Sequence, residues 1–230
     1  LIKDNTIIVY ANASGTTYTI PDSVTEIGSA AFGLCESLTS VTIPDSVTEI
    51  GDEAFSCCSS LTSVTIPDSV TTIGDSAFYS CSSLTSITIP DSVTKIEGGA
   101  FYHCSSLKEV YCKATTPPVA YASNWFAFYY NAFGRKIYVP MESVDAYKAA
   151  DGWKNYKDDI VGYQPNNQIF YTATAKVEIT ATNFGATQID NKWDSATKKG
   201  VIIFDGDVKR IAASTFIGQT ALEAISLPET

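Results

Sequence analysis

Residues 43–65 read IPDSVTEIGDEAFSCCSSLTSVT, and the six that open this stretch return at a fixed interval. Ile-Pro-Asp-Ser-Val-Thr starts at Ile20, Ile43, Ile66 and Ile89, each 23 residues from the last. The remaining positions keep step. Val24, Val47, Val70 and Val93 form one column, and Ile27, Ile50, Ile73 and Ile96 another. Ala31, Ala54, Ala77 and Ala100 each precede a phenylalanine: Phe32, Phe55, Phe78 and Phe101. Cys35, Cys58, Cys81 and Cys104 follow, then Leu38, Leu61, Leu84 and Leu107, then Val41, Val64, Ile87 and Val110. Consecutive units of equal length that agree in so many columns are the mark of a repeat architecture.

Each unit divides into parts. Val41 and Ile43 point inward while Ser40 and Thr42 alternate outward, the period of two of a strand. Pro44-Asp45-Ser46 turns the chain, because proline fixes φ and Asp bonds nearby backbone amides. Val47 and Ile50 return to the core, and Gly51 suits a tight corner. Ala54, Phe55, Cys58 and Leu61 sit at i, i+1, i+4 and i+7, which predicts a short helix or helical turn. No unit can bury its apolar side alone. Stacked units bury it against one another, giving a solenoid with strands about 4.8 Å apart.

Leu38-x-x-Val41-x-Ile43 fits the strand pattern of a leucine-rich repeat. The whole unit, I-P-D-S-V-T-x-I-G-x-x-A-F-x-x-C-x-x-L-T-S-V-T, resembles the BspA-like leucine-rich-repeat family of bacterial surface proteins. The match runs from Ile20 to Cys112, about 40% of the chain. The resemblance implies a right-handed α/β leucine-rich-repeat solenoid, β-rich with short helical turns. It also implies a secreted or surface-attached bacterial protein that mediates adhesion or recognition. Some members bind host matrix proteins or other bacteria.

Outside the four clear units the register changes. Residues 1–20 read as two strands joined by the turn Asn12-Ala13-Ser14-Gly15, an N-terminal β-hairpin that either covers the first edge of the stack or interrupts a longer array. Residues 21–112 are the four repeats. Residues 113–163 form an irregular aromatic repeat and a capping helix. Ile137-Tyr138-Val139-Pro140 repeats the strand-then-proline pattern, Ser143 reads as a helix N-cap, and a helix over about 144–150 places Val144 and Tyr147 on one face. Asp151-Gly152 ends that helix, so that Trp153 and Tyr156 fold back on the stack as a solenoid cap. Gln164-Pro165-Asn166-Asn167-Gln168 is a linker candidate. In residues 164–230, Val208, Ile211, Phe216, Leu222, Ile225 and Leu227 reproduce the repeat columns, the expected start of a second, truncated array. The natural protein is expected to continue.

Composition excludes several functions. Fifteen basic against 25 acidic residues leave a net charge of −10. That disfavours nucleic acid, whose binders need a Lys/Arg patch, and docking on anionic lipid. No apolar run approaches the ~20 residues of a membrane span, and no signal-like start is present in this segment. Only one His occurs, and no nucleophile elbow, phosphate loop or metalloprotease helix is present. The expectation is therefore no catalytic residue, no cofactor and no metal site, in a chain that acts as a monomer.

Candidate sites remain. The column Cys35, Cys58, Cys81 and Cys104 reads as a ladder of buried free thiols that bond turn backbone. Zinc wants a tetrahedral rather than a linear arrangement, and disulfides a dihedral that parallel side chains rarely meet. The column Asp22, Asp45, Asp68 and Asp91 reads as turn residues capping their own amides, with calcium as the alternative. Asp-Ser-Val also resembles the short O-glycosylation acceptor of some gut anaerobes, which would make the source such a bacterium; the alternative is again turn chemistry. The outward strand positions Ser40, Thr42, Ser63, Thr65, Ser86, Thr88, Glu109 and Tyr111 form the candidate ligand face; the alternative is a solvated face chosen for β propensity. In the aromatic run of 121–133, Tyr121, Trp125, Phe126, Tyr129 and Tyr130 form a candidate binding patch, since insertions in repeat proteins fall in loops and aromatics dominate hot spots. Phe133 and some of its neighbours are expected to fill the core. The partner this predicts is a protein, host matrix or bacterial surface, through the sheet face. The alternatives are a glycan through the aromatic run, or a structural spacer.

Overall fold

A computed structural model describes residues 2–7, 16–120, 126–163, 168–174, 188–196, 198–204 and 222–226. In chain order the strands begin β1 (Ile2–Lys3), β2 (Thr6–Ile7), β3 (Thr17–Thr19), β4 (Glu26–Ile27), β5 (Ser40–Thr42), β6 (Glu49–Ile50) and β7 (Ser63–Val64). They continue β8 (Thr72–Ile73), β9 (Ser86–Ile89), β10 (Lys95–Ile96), β11 (Glu109–Cys112), β12 (Val119–Ala120) and β13 (Lys136–Pro140). The helix α1 (Val144–Ala149) follows, then β14 (Ile160–Tyr163), β15 (Gln168–Ala173), β16 (Gln188–Asp194), β17 (Lys199–Phe204) and β18 (Leu222–Ser226). The chain forms two units, Leu1–Gly162 and Tyr163–Thr230.

The first unit is a solenoid of repeat coils with three sides. One side carries β3, β5 and β7 in parallel, aligning Thr17, Ser40 and Ser63; β9, β11, β13 and β14 continue it. The second carries β2, β4, β6, β8, β10 and β12, aligning Ile7, Ile27, Ile50, Ile73, Ile96 and Ala120. Side chains at the inward positions fill the centre. The Val, Ile, Ala, Phe, Cys and Leu columns expected to be core are all buried. Their spine is a stack of rings, Phe32, Phe55, Phe78, Phe101 and Phe128, with centroids 4.9, 5.2, 5.2 and 5.3 Å apart. Each fully buried phenylalanine contributes about 1.5–3 kcal/mol.

The third side is not the helical turn that the i, i+1, i+4, i+7 pattern predicts. Glu53, Phe55 and Cys57 donate their N–H groups forward to Asp75, Ala77 and Tyr79, each at 2.7 Å, while Ala54, Ser56 and Cys58 bond three residues back. Glu53 and Cys57 have φ of 55° and 60°, and the equivalent Ser76 and Ser80 repeat this at 53° and 55°. Left-handed residues four apart break a helix but aim alternate amides at the next coil, so the backbone is satisfied between coils instead of within one. The apolar spacing is the same for both solutions.

Hydroxyls tie the coils as well. Ser46, Ser69 and Ser92 donate to the carbonyls of Val24, Val47 and Val70 at 2.6, 2.6 and 2.8 Å. Thr48, Thr71 and Thr94 donate to Thr25, Thr48 and Thr71, each at 3.3 Å. Part of the Ser and Thr content is thus inter-coil bonding.

The amino-terminal segment differs from the expected hairpin. β2 pairs with β4 and β3 with β5, both parallel. The two strands therefore lie on different sides of a first, irregular coil, and the antiparallel partner of β2 is β1, with Ile2 facing Ile7. Asn12–Gly15 lie outside the described residues.

At the other end the cap forms around α1. Tyr147 and Trp153 are fully buried, and Tyr156 is nearly so. Tyr147 donates its hydroxyl to Ala114 O at 2.9 Å and Trp153 its Nε1 to Pro118 O at 2.8 Å. Tyr156 accepts the Phe128 N–H at 3.1 Å. Ser143 makes no side-chain capping bond; it is buried in a short 3-10 turn, Met141–Ser143, that enters the helix from the proline end of β13. Gly152 has φ +82°, and a Cβ there would stand 2.3 Å from Ala120 O. The turn that returns Trp153 to the core therefore needs glycine.

In the second unit β16, β17, β15 and β18 form an antiparallel sheet in that order. β17 and β18, whose Ile202-x-Phe204 and Leu222-x-x-Ile225 stand at the same 20-residue spacing as Val41-x-Ile43 and Leu61-x-x-Val64, flank β15 on opposite sides. In the first array such strands pair directly and in parallel. Val208, Ile211 and Phe216 lie outside the described residues.

Candidate functional site

The thiol column bonds the backbone of neighbouring coils. Cys58, Cys81 and Cys104 donate Sγ to the carbonyls of Phe32, Phe55 and Phe78 at 3.1, 3.2 and 3.1 Å. Burial pushes the Cys58 and Cys104 thiols up to about 12, and raises Cys35, Cys81 and Cys112 as well. The next phenylalanine carbonyl, on Phe101, accepts from Asn131 Nδ2 at 2.8 Å. The last, on Phe128, accepts from Nη1 of Arg135, which also donates to Asn131 Oδ1 at 2.9 Å. Arg135 is buried, pairs through Nη2 with Asp159 and lies 5.0 Å over the Tyr156 ring. One column of carbonyls is thus closed by three cysteines, an asparagine and an arginine.

The Asp column carries its carboxylates outward. Asp22, Asp45, Asp68 and Asp91 are exposed, and it is the neighbouring Ser that bonds backbone. Asp22 and Asp45 line a shallow hollow with Ile43, Pro44 and Ser46. No group of three or more His, Cys, Asp or Glu able to hold a metal exists among the described residues. No described helix is long and apolar enough to cross a membrane.

Two outward surfaces depart from the repeat. On the first sheet side, Ser40, Thr42, Ser63, Thr65, Ser86 and Thr88 stand in adjacent units, followed by Glu109 and Tyr111. β11 aligns with β13, so Lys136 lies beside Glu109 and Tyr138 beside Tyr111. The two tyrosine rings stack at 4.6 Å. Burial raises the Tyr111 phenol above its ordinary value, and so does the charge of Glu109, which accepts its hydrogen bond. Lys136 and Tyr138 were absent from the sequence-based face, although the Ile137-Tyr138-Val139-Pro140 pattern carries their register.

On the turn side, Phe126 stacks on Tyr129 at 5.1 Å, and Tyr129 meets Tyr130 edge-on at 5.6 Å. Tyr130 stacks on His103 at 4.8 Å and stands edge-on to Tyr102 at 5.2 Å; Tyr102 stacks on Tyr79 at 5.8 Å. Tyr79, Tyr102 and His103 are members of this cluster that sequence reasoning missed. Tyr121 and Trp125 lie outside the described residues. Phe133 is not core: it is fully exposed, and Phe128 takes the core place.

Comparison with known proteins follows the same repeat. The family model described as BspA type leucine rich repeat region matches six copies over residues 7–131. A leucine rich cell surface protein from Faecalibacterium prausnitzii A2-165 is similar at 33% identity, over 58% of this chain and 35% of its own, with a TM-score of 0.49. A leucine-rich repeat protein from Bacteroides capillosus ATCC 29799 is similar at 37% identity, over 46% of this chain and 85% of its own, with a TM-score of 0.43. Pneumococcal vaccine antigen PcpA, at 19% identity, shares the fold over 70% of this chain and 43% of its own, with a TM-score of 0.53. No curated protein matches. With more than half its residues under that repeat model, the chain belongs to the BspA-type leucine-rich-repeat family.

Proposed function

We propose that this is a non-enzymatic recognition protein, secreted or displayed on a bacterial surface, that adheres to a protein partner through the first sheet side of its solenoid. The carrying observation is the Tyr111–Tyr138 pair, stacked at 4.6 Å beside Glu109 and Lys136, at the end of a face otherwise lined by Ser and Thr. Inward positions barely vary from unit to unit, because they must stack. The outward positions of β11 and β13 abandon Ser and Thr with no packing need to do so. Aromatic rings with flanking charges form the centre of an interface, and Ser40, Thr42, Ser63, Thr65, Ser86 and Thr88 extend it with neutral hydroxyls.

The test is capture of host matrix and mucosal proteins on the immobilised protein, followed by titration of the strongest partner. Tyr111→Ala with Tyr138→Ala should weaken binding by tenfold or more with an unchanged melting temperature. Capture of no protein, or capture indifferent to both substitutions, excludes this face.

A further inference from the structure

Three outward columns run along the turn side, and their content changes from one end to the other. They hold Ala30, Gly33 and Leu34 in the first clear unit, then Glu53, Ser56 and Cys57, then Ser76, Tyr79 and Ser80. The next unit brings Gly99, Tyr102 and His103, and the last Phe126, Tyr129 and Tyr130. The core does not call for these rings, since Phe78, Phe101 and Phe128 fill the inward slots of the same turns. Tyr129 and Tyr130 are 44% and 59% exposed, so the rings are held against one another yet open to solvent. No charged side chain stands in these columns from Ser76 onward, although the chain carries a net charge of −10.

We propose that this cluster binds an uncharged polysaccharide. Aromatic faces carry negative potential, which attracts the C–H groups on the apolar face of a pyranose ring. The phenols and the imidazole of His103 offer neutral donors and acceptors to the sugar hydroxyls around it. Ser83, Ser105 and Ser106 follow the rings in sequence and add further hydroxyls, while Ser82 donates its own to Ser59 O at 3.3 Å. The rings recur from coil to coil, an arrangement that suits a polymer lying along the stack. A polyanion is disfavoured by the field of the whole chain. Among the rings a protein partner would find no carboxylate or ammonium to fix register; Asp75, which accepts the Ser76 hydroxyl at 3.0 Å, stands beside the columns and not among the rings. This site uses a different side of the coil from the sheet face and stands or falls independently of it.

The experiment is a glycan array carrying neutral plant, fungal and mucin-type chains beside sialylated and uronate-containing ones, probed with the full chain. Affinity electrophoresis in the best neutral polymer then gives relative affinities. The expected result is binding to a neutral glycan, weakened about tenfold by Tyr130→Ala and by Tyr102→Ala and unaffected by Tyr111→Ala. Tyr130→Ala removes a largely exposed ring, and its melting temperature should match the parent, which guards against loss through misfolding. Binding to no neutral glycan, preference for uronate or sialylated chains, or undiminished binding by Tyr130→Ala overturns the proposal. Loss on Tyr111→Ala overturns it too, and reassigns the ligand to the sheet face.

Discussion

Asn131 donates Nδ2 to the carbonyl oxygen of Phe101 at 2.8 Å, in the place where Cys104 donates Sγ to Phe78 at 3.1 Å. The longer amide reaches the same column across an enlarged coil, and it also holds Arg135. Asn131→Leu should cost about 1–3 kcal/mol, because it strands a buried carbonyl and frees one bond of Arg135. Asn131→Cys should cost less, since a thiol serves three coils at this slot. Urea unfolding of the first unit, followed by tryptophan fluorescence, measures both.

The buried thiols set an alkaline limit. With folded values near about 12 for Cys58 and Cys104 against an ordinary 9.0, the fold keeps protons that the unfolded chain releases. Their contribution is complete below about pH 9 and is lost as pH rises from there towards about 12. Unfolding midpoints should therefore fall over that window, and Cys58→Ala with Cys104→Ala should flatten the fall. In native protein at about pH 8, a thiol reagent should label Cys57, which is half-buried, and spare the buried cysteines.

Ser69 and Asp68 are adjacent but unequal. The Ser69 hydroxyl bonds Val47 O at 2.6 Å, whereas Asp68 is exposed. Ser69→Ala should cost about 1 kcal/mol, and Asp68→Ala should stay within about 0.5 kcal/mol of the parent. The same bond occupies the hydroxyl that an O-glycosylating enzyme would need at Ser46, Ser69 and Ser92. Intact mass of native material should show those three sites unmodified.

Gly152 governs the cap. Gly152→Ala meets Ala120 O and a positive φ together, and should cost about 1–3 kcal/mol. Trp153→Ala should cost about 3–5 kcal/mol by emptying a fully buried site. Thermal melts should show both losses.

The core was legible because it is written four times. Each inward column agrees across copies, so a position such as Val47 or Phe78 identifies itself without a structure. Legibility failed where a copy stands alone. Ala127-Phe128-Tyr129-Tyr130-Asn131 follows the Ala-Phe-x-x-Cys spacing of Ala54 to Cys58, but 27 rather than 23 residues after its predecessor and with Asn for Cys. Phe133 consequently looked like the core ring. The third side misled for a different reason: turns with left-handed residues and a helix share one apolar spacing, and only the direction of the amides separates them. The cluster of Tyr79, Tyr102, His103 and Tyr130 depends on contacts between units, which no single unit encodes.

Arg135 changes what kind of object the array is. A stack whose every coil completes the one before has no inherent length, and each exposed end is a template for a further layer, from the same chain or a neighbour. Here the final carbonyl is taken by a cation that Asp159 neutralises. Adding another layer at that point means dismantling an ion pair first. At this end the array thus carries its own terminator, written into the side chains of a coil and not only into the helix that follows it.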